Sequence, residues 1–291
     1  MESNAVVAVT GGSGKLGRAV VADLLENGYT VVNLDRSAGP ESGALFVKVD
    51  LTDYGQTVAA LQGVDDRYDR IDAVVHLAAI PAPGLTTNSA TFENNITGTY
   101  HVFEAARAAG IRTIVWASSE TVLGLPFGPA TPPPYIPVDE EYHPRPHSAY
   151  SLAKTLEEEM ALQFCGWDPE LSMTGLRFSN VMEPADYADF PGYDDDPATR
   201  VWNLWGYIDA RDGAQAVRLA LRAARPGKDV FIVANADTVM SRSSAALAAD
   251  VFPEVPLKKA LTGTETMLSI DKARRVLGFA PKYSWRDQLS R

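Results

Sequence analysis

The sequence predicts an α/β protein with a doubly wound, mostly parallel β-sheet and a small C-terminal lobe. Residues 5–10 form a short apolar, β-branched run, which is typical of a parallel strand buried on both faces. A glycine-rich stretch from Gly11 to Gly17 follows directly and leads into a helical pattern that stops at Gly28. Further apolar runs then alternate with helical patterns, as expected when helices connect parallel strands.

Each predicted element follows from its local pattern. The predicted strands are residues 5–10, 29–35, 44–49, 71–79, 111–117, 171–178 and 229–234. The predicted helices are residues 18–27, 54–61, 91–109, 148–164 and 210–224, and residues 241–291 hold two further helical segments. Residues 125–146 are rich in proline and therefore form a long loop, either a wall of the substrate pocket or a surface insertion.

Composition limits the classes of function. The net charge of the 291 residues is -11 and no basic run stands out, which argues against nucleic acid and anionic membranes as partners. A single cysteine, Cys165, excludes an internal disulfide. No apolar stretch is long enough for a membrane span, and the N-terminal residues lack the pattern of a signal peptide. We therefore expect a cytoplasmic protein.

The glycine-rich stretch has the context of a dinucleotide site, because it lies between a strand and a helix. Gly11 allows a tight turn, Gly14 lets a pyrophosphate approach the backbone, and Gly17 lets the helix pack on the strand. The free N–H groups at the start of the helix then favour the anion. The alternative is a glycine-rich turn without a ligand.

Two acidic residues at strand ends extend this site. Asp35 lies about 20 residues beyond the glycines, where a carboxylate binds the adenine ribose hydroxyls, which favours NAD. Arg36 keeps NADP open, since a guanidinium pairs with a 2′-phosphate. Asp50 is predicted either to meet the adenine amino group, with Leu51 against the ring, or to belong to a helix cap at Thr52 or Asp53.

Polar residues on other strands reach the same edge of the sheet. Ser118 and Ser119 end the fifth strand, and ligands bind at the carboxyl ends of strands in such sheets. The small residues around Ala78 let a flat cofactor lie on the backbone. His76 lies in an apolar strand and is predicted to pack in the core. The four histidines show no metal-ligand spacing, so no metal site is predicted.

Tyr150 and Lys154 are predicted to do the chemistry. Four residues apart on a helix, they project from one face. An ammonium favours the phenolate, so Lys154 should lower the pKa of Tyr150 towards neutral pH. Such a phenol exchanges a proton with a substrate hydroxyl or carbonyl, and a nearby serine hydroxyl holds the same oxygen.

Together these motifs resemble the extended short-chain dehydrogenase/reductase family, the NAD-dependent sugar epimerases and dehydratases that include UDP-galactose 4-epimerase. The resemblance rests on residues 10–17, Asp35, 50–51, 76–79, 94–95, 118–119, Tyr150 with Lys154, 176–180 and 207–209. It implies that Tyr150 is the acid/base, that Lys154 binds the nicotinamide ribose, and that Ser119 polarises the reacting oxygen. It also implies a homodimer formed through the helices of Asn94 and Tyr150.

The resemblance further implies a Rossmann domain at 1–180 and a mainly substrate-binding lobe at 181–291, with 210–234 returning to the sheet. The predicted cofactor contacts are Gly11, Gly14, Lys15, Leu16, Gly17, Asp35, Arg36, Asp50, Leu51, Leu77, Ala78, Ala79, Asn94, Tyr150, Lys154 and Phe178. The predicted substrate contacts are Ser118, Ser119, Glu120, Asn180 and Arg200.

The expected reaction is hydride transfer between NAD and a hydroxyl-bearing carbon of a sugar. Nucleotide-sugar members carry a diphosphate-binding arginine where this chain reads Leu204-Trp205-Gly206, which favours a free sugar or sugar acid unless Arg200 substitutes. One alternative is a nucleotide-sugar 4-epimerase or dehydratase that retains NAD. Another is a non-catalytic dinucleotide-binding redox sensor.

Overall fold

The computed structural model describes residues 4–63 and 67–289. The strands are β1 (Val6–Thr10), β2 (Thr30–Asp35), β3 (Leu45–Lys48), β4 (Ala73–His76), β5 (Thr113–Ser119), β6 (Ser172–Phe178), β7 (Val181–Met182), β8 (Ile208–Asp209) and β9 (Gly227–Val233). The helices are α1 (Lys15–Glu26), α2 (Tyr54–Leu61), α3 (Asn88–Ala108), α4 (Ala149–Trp167), α5 (Ala210–Arg222), α6 (Ser244–Val251), α7 (Asp271–Leu277) and α8 (Trp285–Leu289).

Seven strands form one parallel sheet in the order β3-β2-β1-β4-β5-β6-β9. The predicted doubly wound α/β fold is therefore confirmed. Strand addition runs outward from β1 in one direction and from β4 in the other, so the order reverses between them. The crevice at this reversal, at the carboxyl ends of the strands, is where such sheets bind ligands.

Both faces of the sheet are covered, which explains why the strands are apolar throughout rather than alternating. Val7 and Val9 of β1 pack in one apolar core with α1 and α5, whereas Ala8 packs in a second core with α2, α3 and α4. Each strand therefore contributes successive side chains to opposite cores.

The chain after β6 packs against the first of these cores. β7 and β8 form a small parallel pair, and between them lie short 3₁₀ turns at Pro184–Asp194, Pro197–Thr199 and Val201–Asn203. Phe252, Leu268 and Trp285 of the C-terminal segment share one apolar cluster with Val7 and Val9. Residues 241–291 were predicted to hold two helical segments, but the described part contains three short helices, because tertiary packing stabilises segments too short to form alone.

Some expectations reach beyond the described residues. The argument about a signal peptide used residues 1–3, and the C-terminal prediction extended to residue 291; residues 1–3 and 290–291 lie outside the described part of the chain. Within residues 4–63 and 67–289, no helix is both long and apolar enough to cross a bilayer.

Candidate active site

A cavity of about 1060 Å³ opens at the carboxyl ends of the central strands. It brings together all of the predicted cofactor and substrate residues except Asp50 and Arg200. The predicted residues on its wall are Gly11, Gly14, Lys15, Leu16, Gly17, Asp35, Arg36, Leu51, Leu77, Ala78, Ala79, Asn94, Ser118, Ser119, Glu120, Tyr150, Lys154, Phe178 and Asn180.

The glycine-rich turn has the geometry that a pyrophosphate requires. Gly11 has φ +70°, and a Cβ there would lie 2.7 Å from the backbone nitrogen of Ala78. A Cβ on Gly17 would lie 2.0 Å from the carbonyl oxygen of Gly11, so only glycine lets α1 pack this closely. Gly14 is the N-cap of α1 and no side chain caps that helix end. The cradle therefore fits a dinucleotide phosphate, because it leaves backbone donors and the positive helix end at the cavity.

Asp35 is fixed at the same turn. Its Oδ2 accepts a hydrogen bond from the Ser13 N–H at 3.1 Å, and its Oδ1 accepts one from the Arg36 N–H at 2.7 Å. The carboxylate ends β2 on the cavity wall, where it can accept hydrogen bonds from a ribose diol. Arg36 is exposed, and its guanidinium donates to Asp50 at 2.8 Å and to Asn94 at 3.2 Å.

Asp50 does not lie on the cavity wall. Its Oδ1 accepts hydrogen bonds from Arg36 and from both the N–H and the hydroxyl of Thr52. These bonds lower the pKa of Asp50 to about 2, the Arg36 contribution being the largest. The cap of α2 is Asp53, one of the two expected cap residues, and the contact of Asp50 with adenine stays a prediction.

Lys15 also has a protein partner. Its ammonium donates to Asp186 at 2.7 Å, while Arg18 pairs with Glu183 at 2.8 Å. These two ion pairs connect the first turns of α1 with the segment after β7. Both are half exposed, so each contributes little to stability. They link that segment to the start of α1, which borders the cavity.

The first turn of α4 presents Tyr150 to the cavity. Ser148 and Ser151 form a reciprocal capping box, which starts the helix at Ala149. Lys154 follows one turn later, and its ammonium donates to the Ala117 carbonyl at 2.8 Å and to Glu157 Oε2 at 2.9 Å. The chain thus places a phenol and an ammonium side by side at the end of β5.

The pKa of Tyr150 departs from expectation. Burial raises it above its ordinary value, and the opposing effect of Lys154 does not offset the loss of solvent. Ser119, beside the phenol, also favours the phenolate, whereas the negative charges of Glu157 and Glu120 oppose it. The predicted lowering is therefore wrong in net direction, although Lys154 acts with the predicted sign.

The two serines at the end of β5 differ. Ser119 Oγ accepts hydrogen bonds from the N–H and the hydroxyl of Thr121, at 3.1 and 3.0 Å, so its own hydrogen remains to be donated. Ser118 donates to Glu158 at 2.6 Å, and Glu158 also receives two hydrogen bonds from Arg177. Ser118 therefore supports the sheet with its hydroxyl, and Ser119 is the serine beside the phenol.

Glu120 is buried beside these groups. Its two oxygens accept hydrogen bonds from Ser179 at 2.6 Å and Asn203 at 3.0 Å. Burial raises its pKa to about 7, even though both bonds and the charge of Arg200 act the other way. The cavity thus contains a carboxyl group that changes charge near neutral pH.

Arg200 is placed away from the cavity wall. It is 5% exposed, donates to the Gly206 carbonyl at 2.9 Å, and stacks on the rings of Tyr193 and Trp202. The structure therefore does not bring the guanidinium to the cavity wall, and its contact with substrate stays a prediction.

Sequence reasoning missed several wall residues. Among them, Pro81 and Pro83 follow β4, His147 precedes the cap of α4, and Trp202 lies in a 3₁₀ turn. Only the proline-rich segment gave a signal, and its Leu125 and Pro126 do line the cavity. His76, predicted to pack in the core, is 2% exposed. Within the described residues, no three His, Cys, Asp or Glu side chains come together in the manner of metal ligands.

Comparison with known proteins agrees with this geometry. Residues 7–195 match the model of the NAD dependent epimerase/dehydratase family. UDP-glucose 4-epimerase of Yersinia pestis is 33% identical over 188 residues, which cover 60% of this chain and 52% of that protein. The human UDP-glucose 4-epimerase is 33% identical over 196 residues, covering 60% and 53%. This chain spans about half the length of the curated relatives it matches.

Solved structures extend the likeness to nearly the whole chain. A UDP-galactose 4-epimerase is 27% identical with a TM-score of 0.70, covering 98% of this chain and 96% of that one. MoeE5 in complex with UDP-glucose and NAD is 26% identical with a TM-score of 0.72 and the same coverage. The predicted family and its NAD dependence are confirmed: the chain belongs to the NAD dependent epimerase/dehydratase family.

Proposed function

We propose that this protein transfers a hydride between NAD and a hydroxyl-bearing carbon of a sugar substrate, and that the reaction is the 4-epimerisation of a nucleotide sugar. The observation that carries the proposal is one cavity that joins the uncapped, glycine-lined start of α1 to Ser119, Tyr150 and Lys154. The relatives named as UDP-glucose 4-epimerases support the choice of substrate.

The residues present fit NAD. Gly11, Gly14 and Gly17 would hold its pyrophosphate, Asp35 its adenine ribose, and Lys154 its nicotinamide ribose. When bound, NAD supplies the acceptor for the hydride. The carboxylate of Asp35 disfavours a 2′-phosphate, so NAD is preferred over NADP.

Tyr150 would exchange the proton of the reacting hydroxyl. Burial holds it in the protonated form, so in this state it is a proton donor, and Lys154 stabilises its phenolate when the proton leaves. Ser119 would donate its remaining hydrogen to the same substrate oxygen. In a 4-epimerase, Tyr150 would take the proton from O4 only as the phenolate, after its own proton has left to solvent, and it would return the O4 proton when C4 is reduced on the other face.

A second candidate is the oxidation of a free sugar. Arg200 is enclosed, and among the described wall residues Arg36 is the one arginine; its guanidinium is paired with Asp50 and Asn94. A nucleotide diphosphate would then rely on backbone and neutral donors. A sugar acid fits less well than a neutral sugar, because its carboxylate would approach Glu120 in the same cavity.

The two candidates separate in one experiment. The protein is incubated with NAD and UDP-galactose while proton NMR follows the formation of UDP-glucose. In parallel, glucose, galactose and galacturonate are tested for NAD reduction at 340 nm. We expect UDP-glucose to form without net NADH. NADH from a free sugar with inert UDP-galactose would favour the second candidate, and inactivity of every substrate in both assays would count against both.

We also propose that the chain forms a homodimer through α3 and α4. Tyr100 of α3 and Leu152 and Leu156 of α4 are large apolar side chains left exposed in the single chain. Light scattering should give twice the chain mass, and Leu152→Glu should give the single mass. A wild-type protein that is monomeric at micromolar concentration would contradict this.

A further inference from the structure

A buried carboxylate lies behind the proposed acid/base pair. Glu157 follows Lys154 by three residues on α4, is 0% exposed, and accepts the Lys154 ammonium at 2.9 Å. Its second oxygen, Oε1, is buried without a hydrogen-bond partner. Burying a carboxylate is costly, and the adjacent Lys154 ammonium offsets part of that cost.

Near Lys154, β4 contributes His76, a neutral histidine with a fixed tautomer. The Thr10 hydroxyl accepts the N–H groups of Leu77 and Ala78, so its own hydrogen goes to His76 Nδ1, 2.7 Å away. His76 Nε2 therefore carries the proton and donates to Thr99 Oγ1 at 3.0 Å. Burial, with the charge of Lys154, lowers the His76 pKa to about 3, so the ring stays uncharged.

Burial raises the pKa of Glu157, whereas the charge and hydrogen bond of Lys154 and a hydrogen bond from the Thr99 hydroxyl act the other way. Thr10, His76 and Thr99 thus form a chain of polar groups that runs from the backbone after β4, on the cavity wall, to the Glu157 carboxylate. None of them supplies a second positive charge. The Lys154 ammonium is the cation that Glu157 faces, and Lys154 is held between Glu157 and the Ala117 carbonyl.

We propose that Glu157 is a positioning residue: it anchors the Lys154 ammonium in the cavity wall and neutralises much of its charge, so that Tyr150 remains a phenol until ligands enter. This rests on the proposed role of Tyr150 as the acid/base. The observation that carries it is the 2.9 Å ion pair between Lys154 and Glu157, in which both side chains are almost fully buried.

The charged groups around Lys154 and Tyr150 each favour or oppose the phenolate form of Tyr150. Lys154 and Ser119 favour the Tyr150 phenolate, whereas Glu157 and Glu120 oppose it. Glu158, next to Glu157, is engaged by Arg177 and Ser118. His76 on β4 is neutral and Thr99 on α3 has no charge. Glu157 is therefore the charge whose removal acts on both Lys154 and Tyr150.

The test needs no substrate. Tyrosine labelled with ¹³C at the ring Cζ is introduced into the full chain, and the Tyr150 signal is identified by its loss in Tyr150→Phe. Its titration is followed by NMR from pH 7 to pH 11 in the wild type and in Glu157→Gln. We expect the midpoint, or its onset, to fall by about one pH unit in Glu157→Gln, as when one nearby like charge is removed.

Glu159→Gln is the matched control, because it removes the same charge from an exposed position on the same helix. It should leave the Tyr150 titration unchanged. An unchanged or raised midpoint in Glu157→Gln would overturn the proposal. If Glu157→Gln does not fold, Glu157→Asp takes its place, because it keeps the charge but moves it away from Lys154. A Tyr150 midpoint in Glu157→Asp equal to that of the wild type would also overturn the proposal. A protein that turns over no sugar but shows the shift would refute the proposed function alone.

Discussion

Asp35 and Ser13 are joined by a 3.1 Å hydrogen bond from the Ser13 N–H to Asp35 Oδ2, which fixes the carboxylate at the end of β2 against the glycine-rich turn. The Asp35 carboxylate therefore both supports the turn and faces the cavity. Charge-assisted hydrogen bonds contribute about 1.5–3 kcal/mol each. Asp35→Ala should weaken NAD binding by about 10- to 100-fold and NADP binding by less, as measured by calorimetry. Equal losses for both cofactors would mean that Asp35 is not the ribose ligand.

Replacing Tyr150 with Phe removes the hydroxyl that the proposed mechanism needs while keeping the ring in its buried place. Acid/base groups contribute about 10²- to 10⁴-fold to rate. Turnover of the substrate identified in the sugar screen should fall by that factor, and NAD affinity should change little. Tyr54→Phe, on the exposed face of α2, is the control and should keep full activity. Undiminished turnover in Tyr150→Phe would refute the assigned role.

Gly17 should not tolerate a side chain. A Cβ there would lie 2.0 Å from the Gly11 carbonyl oxygen and 2.7 Å from the Gly12 Cα, both of which are backbone atoms that cannot rotate away. Gly17→Ala should lower the free energy of unfolding by about 1–3 kcal/mol or more, and it should impair NAD binding by displacing α1.

Gly166 provides the matched control for that substitution. It lies in α4, and a Cβ there would have no atom within 4 Å. Gly166→Ala should raise the free energy of unfolding by up to about 1 kcal/mol, because alanine is the better helix former. Chemical denaturation measures both variants. A Gly17→Ala protein as stable as the wild type would contradict the packing described here.

These sites show which features the sequence could predict. The strand, glycine turn and helix could be predicted because they depend on residues close together in the sequence. Gly11 needs a positive φ, and Gly17 packs against the backbone of Gly11 and Gly12. Asp50 and Arg200 lie off the cavity wall, where Asp50 accepts hydrogen bonds from Arg36 and Thr52 and Arg200 donates to Gly206. Hydrogen-bond competition of this kind depends on side-chain placement, which a spacing pattern does not contain.

The predicted direction of the Tyr150 pKa shift was wrong because the sequence does not show how deeply the phenol is buried. The sequence shows that a lysine lies one turn away, which predicts a lower pKa. Burial depends on the whole fold, and here it outweighs the ammonium, part of whose charge is offset by Glu157. The sign of a neighbour's effect could therefore be predicted, but not the sum of all effects.

Glu120 makes stability depend on pH near neutrality. Its pKa is about 7 in the folded protein and 4.5 ordinarily, so the folded state binds its proton more tightly than the unfolded state. Stability is therefore greatest below the unfolded pKa and falls as the pH rises from about 4.5 to about 7, by on the order of 3 kcal/mol in all. Glu120→Gln cannot ionise and should lack this part of the fall.

The comparison is made by urea denaturation of wild type and Glu120→Gln between pH 4 and pH 8. Asp212, whose pKa is also raised, to about 6, is present in both proteins, and its contribution therefore cancels in the difference. The stability of the wild type minus that of the variant should decline between pH 4.5 and pH 7 and then level off. The Gln amide also replaces one acceptor facing Ser179 or Asn203, but this adds only a constant offset that does not change with pH. A difference that stays flat across this range would show that Glu120 titrates alike in the folded and unfolded states, so that its carboxylate in the cavity is already charged well below neutral pH.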